Sequence, residues 1–211
     1  MPQERRQFVK YNFYKVDPAW RRLPLAERQG HKEEFLSLVE ARAEDLWVRS
    51  YSLVGLRADV DFLLWLVAWR VEALEEFAAA VNRSALGRWL LHPYSFLAMT
   101  HPSPYLGSHR HPGQEGSRTV LRPSKEEFPY LVVYPFLKTA AWYQLPRQER
   151  QRMMEEHFAI GHRYPSVRIN TTYSYGLDDQ EHMVAFEAQD LGEFLDLVLD
   201  LREAKARPYT A

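Results

Sequence analysis

Apolar positions along the chain alternate between strand and helix spacing in a recurring order. Runs rich in aromatic and β-branched residues with period two indicate strands, and apolar residues three and four apart indicate helices. The first half predicts strand Gln7–Val16, helix Leu25–Glu44, strands Leu46–Leu56 and Val60–Trp69, helix Glu72–Arg83 and strand Tyr94–Met99. This order, βαββαβ, is that of a ferredoxin-like unit.

The second half repeats the first five of these elements. It predicts strand Phe128–Phe136, helix Pro146–His162, strands Ser166–Tyr175 and His182–Glu187, and helix Leu191–Ala206. The two halves also share a turn, Tyr51-Ser-Leu-Val-Gly-Leu56 and Tyr173-Ser-Tyr-Gly-Leu177. The predicted class is therefore α+β, with duplicated ferredoxin-like units of the dimeric α/β-barrel type.

The predicted duplication lacks its final C-terminal strand. We expect an N-terminal half over residues 1–100, a connecting loop rich in Pro and Gly over 101–125, and a C-terminal half over 126–211. The strand edge beside the gap would be unpaired, so either the sequence is truncated or a partner fills the edge.

Composition removes several classes of function. The 27 Lys+Arg and 28 Asp+Glu leave a net charge of −1, so no global field recruits nucleic acid or an acidic membrane. The chain has no cysteine, which excludes thiolate metal sites and leaves His, Tyr and carboxylates as iron ligands. The run Phe62–Trp69 is too short to span a bilayer, and the N-terminus does not resemble a secretory signal. We expect a soluble, cytoplasmic protein.

His157 is the first candidate for chemistry. On the predicted helix it shares an apolar stripe with Met153, Met154 and Ile160, and Gly161 leaves room for a flat group to approach the backbone. A neutral imidazole on an apolar wall suits a haem iron. The same pattern is also typical of a core histidine bonded to a backbone carbonyl.

Three further residues precede this helix. Tyr134 and Lys138 flank the end of a predicted strand, and Trp142 follows shortly after. A tyrosine beside a cofactor can act as hydrogen-bond donor, general acid or one-electron relay. Ordinary packing explains Tyr134 and Trp142 equally well, and Lys138 could simply be solvated.

The motifs that carry these residues resemble those of the chlorite dismutase-like family, and within it the coproheme decarboxylases of the actinobacterial-type branch. The carrying segments are Tyr134-Pro-Phe-Leu-Lys138, Trp142-Tyr-x-Leu-Pro-x-x-Glu-Arg150, Met154-x-x-His157, Tyr164-Pro-Ser-Val-Arg-Ile-Asn-Thr171, Gly176-Leu-Asp-Asp179 and Val184-Ala-Phe-Glu187. The resemblance covers roughly residues 7–211 and is strongest from 128 onward.

The resemblance implies a role for each of these residues. His157 matches the axial haem-iron ligand, and Tyr134 matches the tyrosine that becomes a radical and attacks a coproheme propionate. Lys138 matches the propionate-pairing base beside it. Trp142, with Met154, falls in the haem pocket. The implied reaction converts coproheme III to haem b with hydrogen peroxide, in a homopentamer.

Within the family the chief alternative reaction is chlorite dismutation, and this chain differs from the chlorite-decomposing members at two positions. Chlorite dismutation relies on a distal arginine. The matching position is Ile169 or Asn170, and we expect Ile169 rather than Arg168 to face the iron. Chlorite-decomposing members also place a carboxylate against the axial histidine, where this chain has Ala206, with Glu203 a possible substitute. A third alternative is a non-catalytic haem-binding oligomer.

The connecting loop carries the remaining candidates. His109 and His111 form a His-x-His pair that could bind metal or belong to a bland surface loop. The resemblance makes the two histidines candidates for the distal base toward peroxide, and Arg118 and Arg122 candidates for binding propionates.

Overall fold

The computed structural model describes residues 5–41, 46–105, 120–121 and 127–211, and divides the chain into two compact units. The first unit is Met1–Met99 and the second is Thr100–Ala211. In neither unit is any described helix long and apolar enough to cross a membrane.

The first unit is a four-stranded antiparallel sheet in the order β2-β3-β1-β4, covered on one face by helices. Its elements are β1 (Phe8–Val16), a 3-10 turn (Pro18–Arg22), α1 (Leu25–Glu40), β2 (Leu46–Ser52), β3 (Phe62–Ala68), α2 (Val71–Arg83), a 3-10 turn (Gly87–Trp89) and β4 (Leu90–Met99). The predicted βαββαβ order is confirmed.

The second unit repeats this plan with three strands in the order β6-β7-β5. Its elements are β5 (Tyr130–Phe136), α3 (Ala140–Gln144), α4 (Arg147–Gly161), β6 (Val167–Tyr173), β7 (His182–Ala188), α5 (Leu191–Glu203) and a 3-10 turn (Arg207–Tyr209). The last residues, Thr210 and Ala211, begin to pair with the end of β5. In the first unit β4 begins beside β1 in the same place.

The duplication extends to the register of the strands and to single hydrogen bonds. β1 pairs with β3 from Phe8↔Ala68 to Tyr14↔Phe62, and β5 pairs with β7 from Tyr130↔Ala188 to Phe136↔His182. The sequence contains a repeat that matches this register, because Leu-Pro-x-x-Glu-Arg-Gln-x-x-x-Glu-Glu occurs at 23–34 and again at 145–156. This repeat makes Phe35 and His157 equivalent positions.

In each unit, carboxylates accept hydrogen bonds from the backbone at the same two positions of the fold. Asp61 accepts the backbone N–H of Val16 at 2.8 Å, and Glu181 accepts that of Lys138 at 2.9 Å. A glutamate of each long helix also holds the chain just after the unit's last helix, since Glu34 accepts the N–H of Ala85 and Glu156 accepts that of Lys205. Each bond satisfies a backbone donor that no strand or helix partner takes up.

Four predicted boundaries are wrong by three or more residues, and the others lie within two residues of the observed ends. The strand predicted over Leu46–Leu56 ends at Ser52, because Leu53–Leu56 form a hydrogen-bonded turn. The strand predicted from Tyr94 begins at Leu90, since Pro93 falls at a register shift where its missing N–H is tolerated. The helix predicted to Glu44 ends at Glu40, and the one predicted to Ala206 ends at Glu203. The short helix α3 was not predicted.

Glycine is required where the shared turn reverses the chain. Gly55 has a φ of 81° and Gly176 a φ of 70°, in the left-handed region that costs other residues about 1–2 kcal/mol. Both glycines therefore fix the hairpin that delivers the third strand of their unit.

Replacing either turn glycine should destabilise the protein although each site has open space. Gly55→Ala and Gly176→Ala should each lower the free energy of unfolding by about 1–2 kcal/mol, measured by urea denaturation. Gly30→Ala is the matched control, because Gly30 lies inside α1 with equal space, and it should stabilise by about 0.5–1 kcal/mol. Equal effects of all three substitutions would contradict this assignment.

Candidate functional site

The helix-facing side of the second unit's sheet carries the predicted site and is more exposed than its counterpart. Among the described residues, the corresponding core of the first unit contains ten buried side chains, whereas this one contains five. The remaining apolar side chains around it are only partly buried, namely Val132, Phe136, Ile160, Tyr164, Ile169, Phe194 and Leu201. The second unit therefore leaves apolar surface on this face for a ligand.

His157 lies on α4 on the side that faces this core. Ile160, one turn further along the helix, packs against the core, and residues three apart share a helix face. Burial first, and then the nearby Lys138 ammonium, lower the pKa of His157 to about 4. The imidazole is thus neutral at pH 7, which is the form that ligates iron.

Tyr134 points to the same face from β5 and remains partly open. Its ring stacks on Phe186 at a centroid distance of 5.8 Å, and 37% of the residue is exposed. Burial raises its pKa, with a smaller opposing effect of Arg202, so the phenol keeps its proton at neutral pH. A large aromatic side chain on the helix-covered face is thereby left available to a ligand.

Lys138 is held at the end of β5 by its backbone and its side chain. Its Nζ lies 4.5 Å from the ring centroid of Trp142 and donates to Thr210 Oγ1 at 3.3 Å. Burial lowers the pKa of Lys138 to about 8, against the attraction of Glu181. Trp142 is buried in the middle of α3, so the partly desolvated ammonium of Lys138 lies against an indole ring beside the site. A carboxylate ligand would restore the missing solvation.

Ile169 and Arg168 lie on opposite faces of β6. Ile169 packs on the helix side, where its Cδ1 would lie 3.7 Å from a Cβ at Gly161 of α4. Arg168 lies on the other face, where it pairs with Glu127 and approaches the buried Glu187. An apolar side chain, and no guanidinium from these two positions, therefore reaches the candidate site.

The other predicted site residues differ in exposure, and some lie outside the described residues. Met154 is half-buried on α4, one turn before His157. Ala206 is buried and Glu203 is exposed. The predictions for the connecting loop lie outside the described residues, namely His109, His111, Arg118 and Arg122.

A hydrogen-bonded cluster beside the site was not predicted. Glu181 accepts from Tyr143 Oη at 2.6 Å, Tyr143 Oη lies 2.7 Å from Tyr175 Oη, and Tyr175 Oη lies 3.3 Å from His182 Nε2. These residues come from α3, the Gly176 turn and β7, so only the register of the hairpin brings them together. The repeat between the two halves identifies the position of Glu181, but it does not reveal its partners.

The described part of the second unit thus combines a neutral imidazole, an open phenol and a half-buried ammonium on an apolar face whose side chains are partly exposed. These groups fit an iron porphyrin that carries carboxylate side chains, since imidazole suits the iron and ammonium suits a propionate.

Comparison with known proteins identifies the family. The chlorite dismutase family profile matches residues 10–211, and the chain belongs to that family. A similar curated protein is the coproheme decarboxylase of Mycolicibacterium smegmatis, 38% identical over 161 residues. That match covers 76% of this chain and 66% of the relative, just under two thirds of its length.

Solved structures agree with the fold. An arginine-to-lysine mutant of chlorite dismutase from Candidatus Nitrospira defluvii superposes with a TM-score of 0.86 at 25% identity, covering 98% of this chain and 87% of the other. A heme-binding protein from Thermus thermophilus gives 0.82 at 27% identity, covering 97% and 86%. The predicted duplicated α+β fold is confirmed.

Two partly buried histidines of the second unit predict a pH dependence of stability. Burial lowers the pKa of His157 and of His182 to about 4, below the usual 6.5. The unfolded chain therefore binds more protons than the folded chain at pH 5, and the free energy of unfolding falls as pH decreases from 6.5 towards 4. Urea denaturation at pH 7 and pH 5 measures the fall.

The first unit supplies the substitutions that test this dependence. At the equivalent positions the first unit has Phe35 and Phe62, whose rings pack against each other. The double substitution His157→Phe and His182→Phe therefore introduces a pair of side chains that the same fold already accommodates. The double variant should lose less stability between pH 7 and pH 5 than the unsubstituted protein. An equal loss in both proteins would show that other groups cause the dependence.

Proposed function

We propose that this protein is an enzyme of haem biosynthesis, a coproheme decarboxylase that converts coproheme III to haem b with hydrogen peroxide. The similarity to the M. smegmatis coproheme decarboxylase supports the substrate. The geometry supports the chemistry, because the face that carries a neutral His157 also carries the open phenol of Tyr134.

The first unit shows that these groups are not needed for the fold. At the positions equivalent to Tyr134 and His157 it has Asn12 and Phe35. The frame is the same, but the phenol and the imidazole are absent from it. This contrast within one chain is the observation that carries the proposal, since it separates what the fold requires from what the second unit adds.

In the proposed complex each residue has one task. His157 ligates the iron of coproheme, which is both substrate and redox centre. Lys138 pairs with a propionate carboxylate, which would raise its lowered pKa again. Trp142, Met154 and Ile169 form apolar walls, and Arg118 and Arg122 remain proposed propionate partners.

Tyr134 is the proposed reactive group. The iron and peroxide supply the oxidising power, and Tyr134 loses one electron and its phenolic proton. The resulting radical takes a hydrogen atom from the propionate carbon next to the ring. The hydrogen atom restores Tyr134. The carbon radical then gives its electron to the second oxidising equivalent of the peroxide, and loss of CO₂ leaves a vinyl group. For each propionate the balance is R–CH₂CH₂–COO⁻ + H₂O₂ + H⁺ → R–CH=CH₂ + CO₂ + 2 H₂O.

The position of Ile169 favours this reaction over chlorite dismutation. An aliphatic side chain on the helix face cannot hold an anionic oxidant as a guanidinium would. We further propose that the chain acts in the cytoplasm as a homopentamer, and that His109 or His111 serves as the distal base.

Tyr134→Phe should abolish decarboxylation and leave coproheme binding intact, because only the phenolic hydroxyl is removed. Mass spectrometry after incubation with coproheme and peroxide should show two successive losses of CO₂ with the unsubstituted protein and none with the variant. Tyr130→Phe is the matched control at the opposite end of β5, and it should retain both losses.

Two outcomes would contradict the proposal. Turnover by Tyr134→Phe at the unsubstituted rate would exclude the radical role of this residue. Sustained oxygen release from chlorite, without CO₂ loss from coproheme, would assign the chain to chlorite dismutation instead.

A further inference from the structure

The cluster of Tyr143, Tyr175, Glu181 and His182 forms a directional chain of hydrogen bonds. Each phenol has a single hydrogen to donate. Tyr143 donates to the Glu181 carboxylate, so Tyr175 donates to Tyr143. Tyr175 Oη then has no hydrogen left to donate and lies 3.3 Å from His182 Nε2, which donates to it in the Nε2–H tautomer. The two phenols thus form a chain that runs in one direction towards Glu181.

The frame of the fold does not require this chain. In the first unit the equivalent carboxylate, Asp61, makes the same bond to the backbone at the end of the strand. Its other partners are cations, Lys15 at 3.2 Å and Arg21 at 3.6 Å. The carboxylate of the first unit is thus satisfied by ion pairs, whereas that of the second is satisfied by a phenol.

The side chains at the equivalent positions confirm the difference. The repeat aligns Tyr143 with Arg21, and the shared glycine turn aligns Tyr175 with Val54. The strand register aligns His182 with Phe62. At the positions equivalent to Tyr143, Tyr175 and His182 the first unit therefore has no phenol and no imidazole.

The cluster adjoins the candidate site. Glu181 holds the backbone of Lys138, and Tyr143 follows Trp142 in α3. The Lys138 ammonium lowers the pKa of both His157 and His182, so both imidazoles lie within its field. The outer end is accessible, because Tyr175 is 48% exposed.

We propose that Tyr143 and Tyr175 form a second redox site, which donates an electron to an oxidised iron porphyrin and carries the resulting radical to the surface. The inference rests on the proposed function, which brings an iron porphyrin and peroxide into the second unit. It adds an activity that is distinct from that of Tyr134, namely the removal of oxidising equivalents that the substrate does not consume.

The hydrogen bonds supply the proton acceptors that this step needs. Reduction of peroxide to two molecules of water takes two electrons and two protons. Tyr143 would supply one of these electrons, and the other oxidising equivalent would stay at the iron porphyrin. Tyr143 gives one electron to the porphyrin site and its proton to Glu181, which leaves a neutral phenoxyl radical and a carboxylic acid. Tyr175 then passes its hydrogen atom to the Tyr143 oxygen, so that the radical ends on Tyr175 at the surface.

The test uses protein loaded with haem b and mixed with hydrogen peroxide, followed by rapid freezing and electron paramagnetic resonance. Haem b replaces coproheme so that radical formation is measured independently of decarboxylation. Tyr134→Phe should still give a tyrosyl signal, because the second redox site remains. Adding Tyr143→Phe and Tyr175→Phe should remove that signal, whereas adding Tyr130→Phe should not. The Soret absorbance verifies equal loading.

Glu181→Gln tests the proton acceptor separately, because it keeps the shape of the side chain and removes its charge. It should lower the radical yield in the Tyr134→Phe background. An unchanged tyrosyl signal after loss of Tyr143 and Tyr175 would overturn the inference, even if coproheme is decarboxylated. A Tyr143- and Tyr175-dependent signal without decarboxylation of coproheme would uphold it and contradict the proposed function. A chain that binds no iron porphyrin would contradict both.

Discussion

The hydrogen bond from the end of β5 to Glu181 fixes the backbone where the strand leads into the candidate site. The carboxylate that precedes β7 accepts the Lys138 N–H at 2.9 Å. Beyond this bond the chain enters α3, and the Lys138 Nζ lies 4.5 Å from the ring centroid of Trp142. The same bond from Val16 to Asp61 organises the first unit. The two units therefore share a constraint of the backbone and differ in what is attached to it.

The two units differ most at two equivalent positions on the helix-facing side. In the first unit Phe35 packs on Phe62. In the second unit imidazoles occupy both positions, and among the described residues the core contains five buried side chains against ten. Neutral, partly buried histidines lower the free energy of unfolding in acid. Apolar surface that stays exposed contributes no hydrophobic stabilisation. Such costs are typical of residues retained for a function.

Sequence patterns predicted the strands, helices and turns that depend on a short stretch of neighbouring residues. The near-continuous apolar runs identified β3 and β7, and the shared glycines identified the turns, because a positive φ restricts the residue choice. The strand at Leu46 was predicted too long and α3 was missed, since five residues are too few to show a helical period. His157 and Tyr134 were named from motifs, and the structure adds their burial and the state of their protons. The partners of Glu181 could not be predicted, because they depend on which side chains the hairpin register places together.

We propose that the second unit holds an iron porphyrin through His157. Titration of the protein with ferric coproheme, followed by absorption and electron paramagnetic resonance, identifies the axial ligand. We expect one porphyrin per chain with a histidine-ligated iron. We expect that ligation to be lost in His157→Phe, because phenylalanine, the side chain at the equivalent position of the first unit, has no atom that ligates iron. Histidine-ligated coproheme in His157→Phe, indistinguishable from that in the unsubstituted protein, would exclude His157 as the ligand.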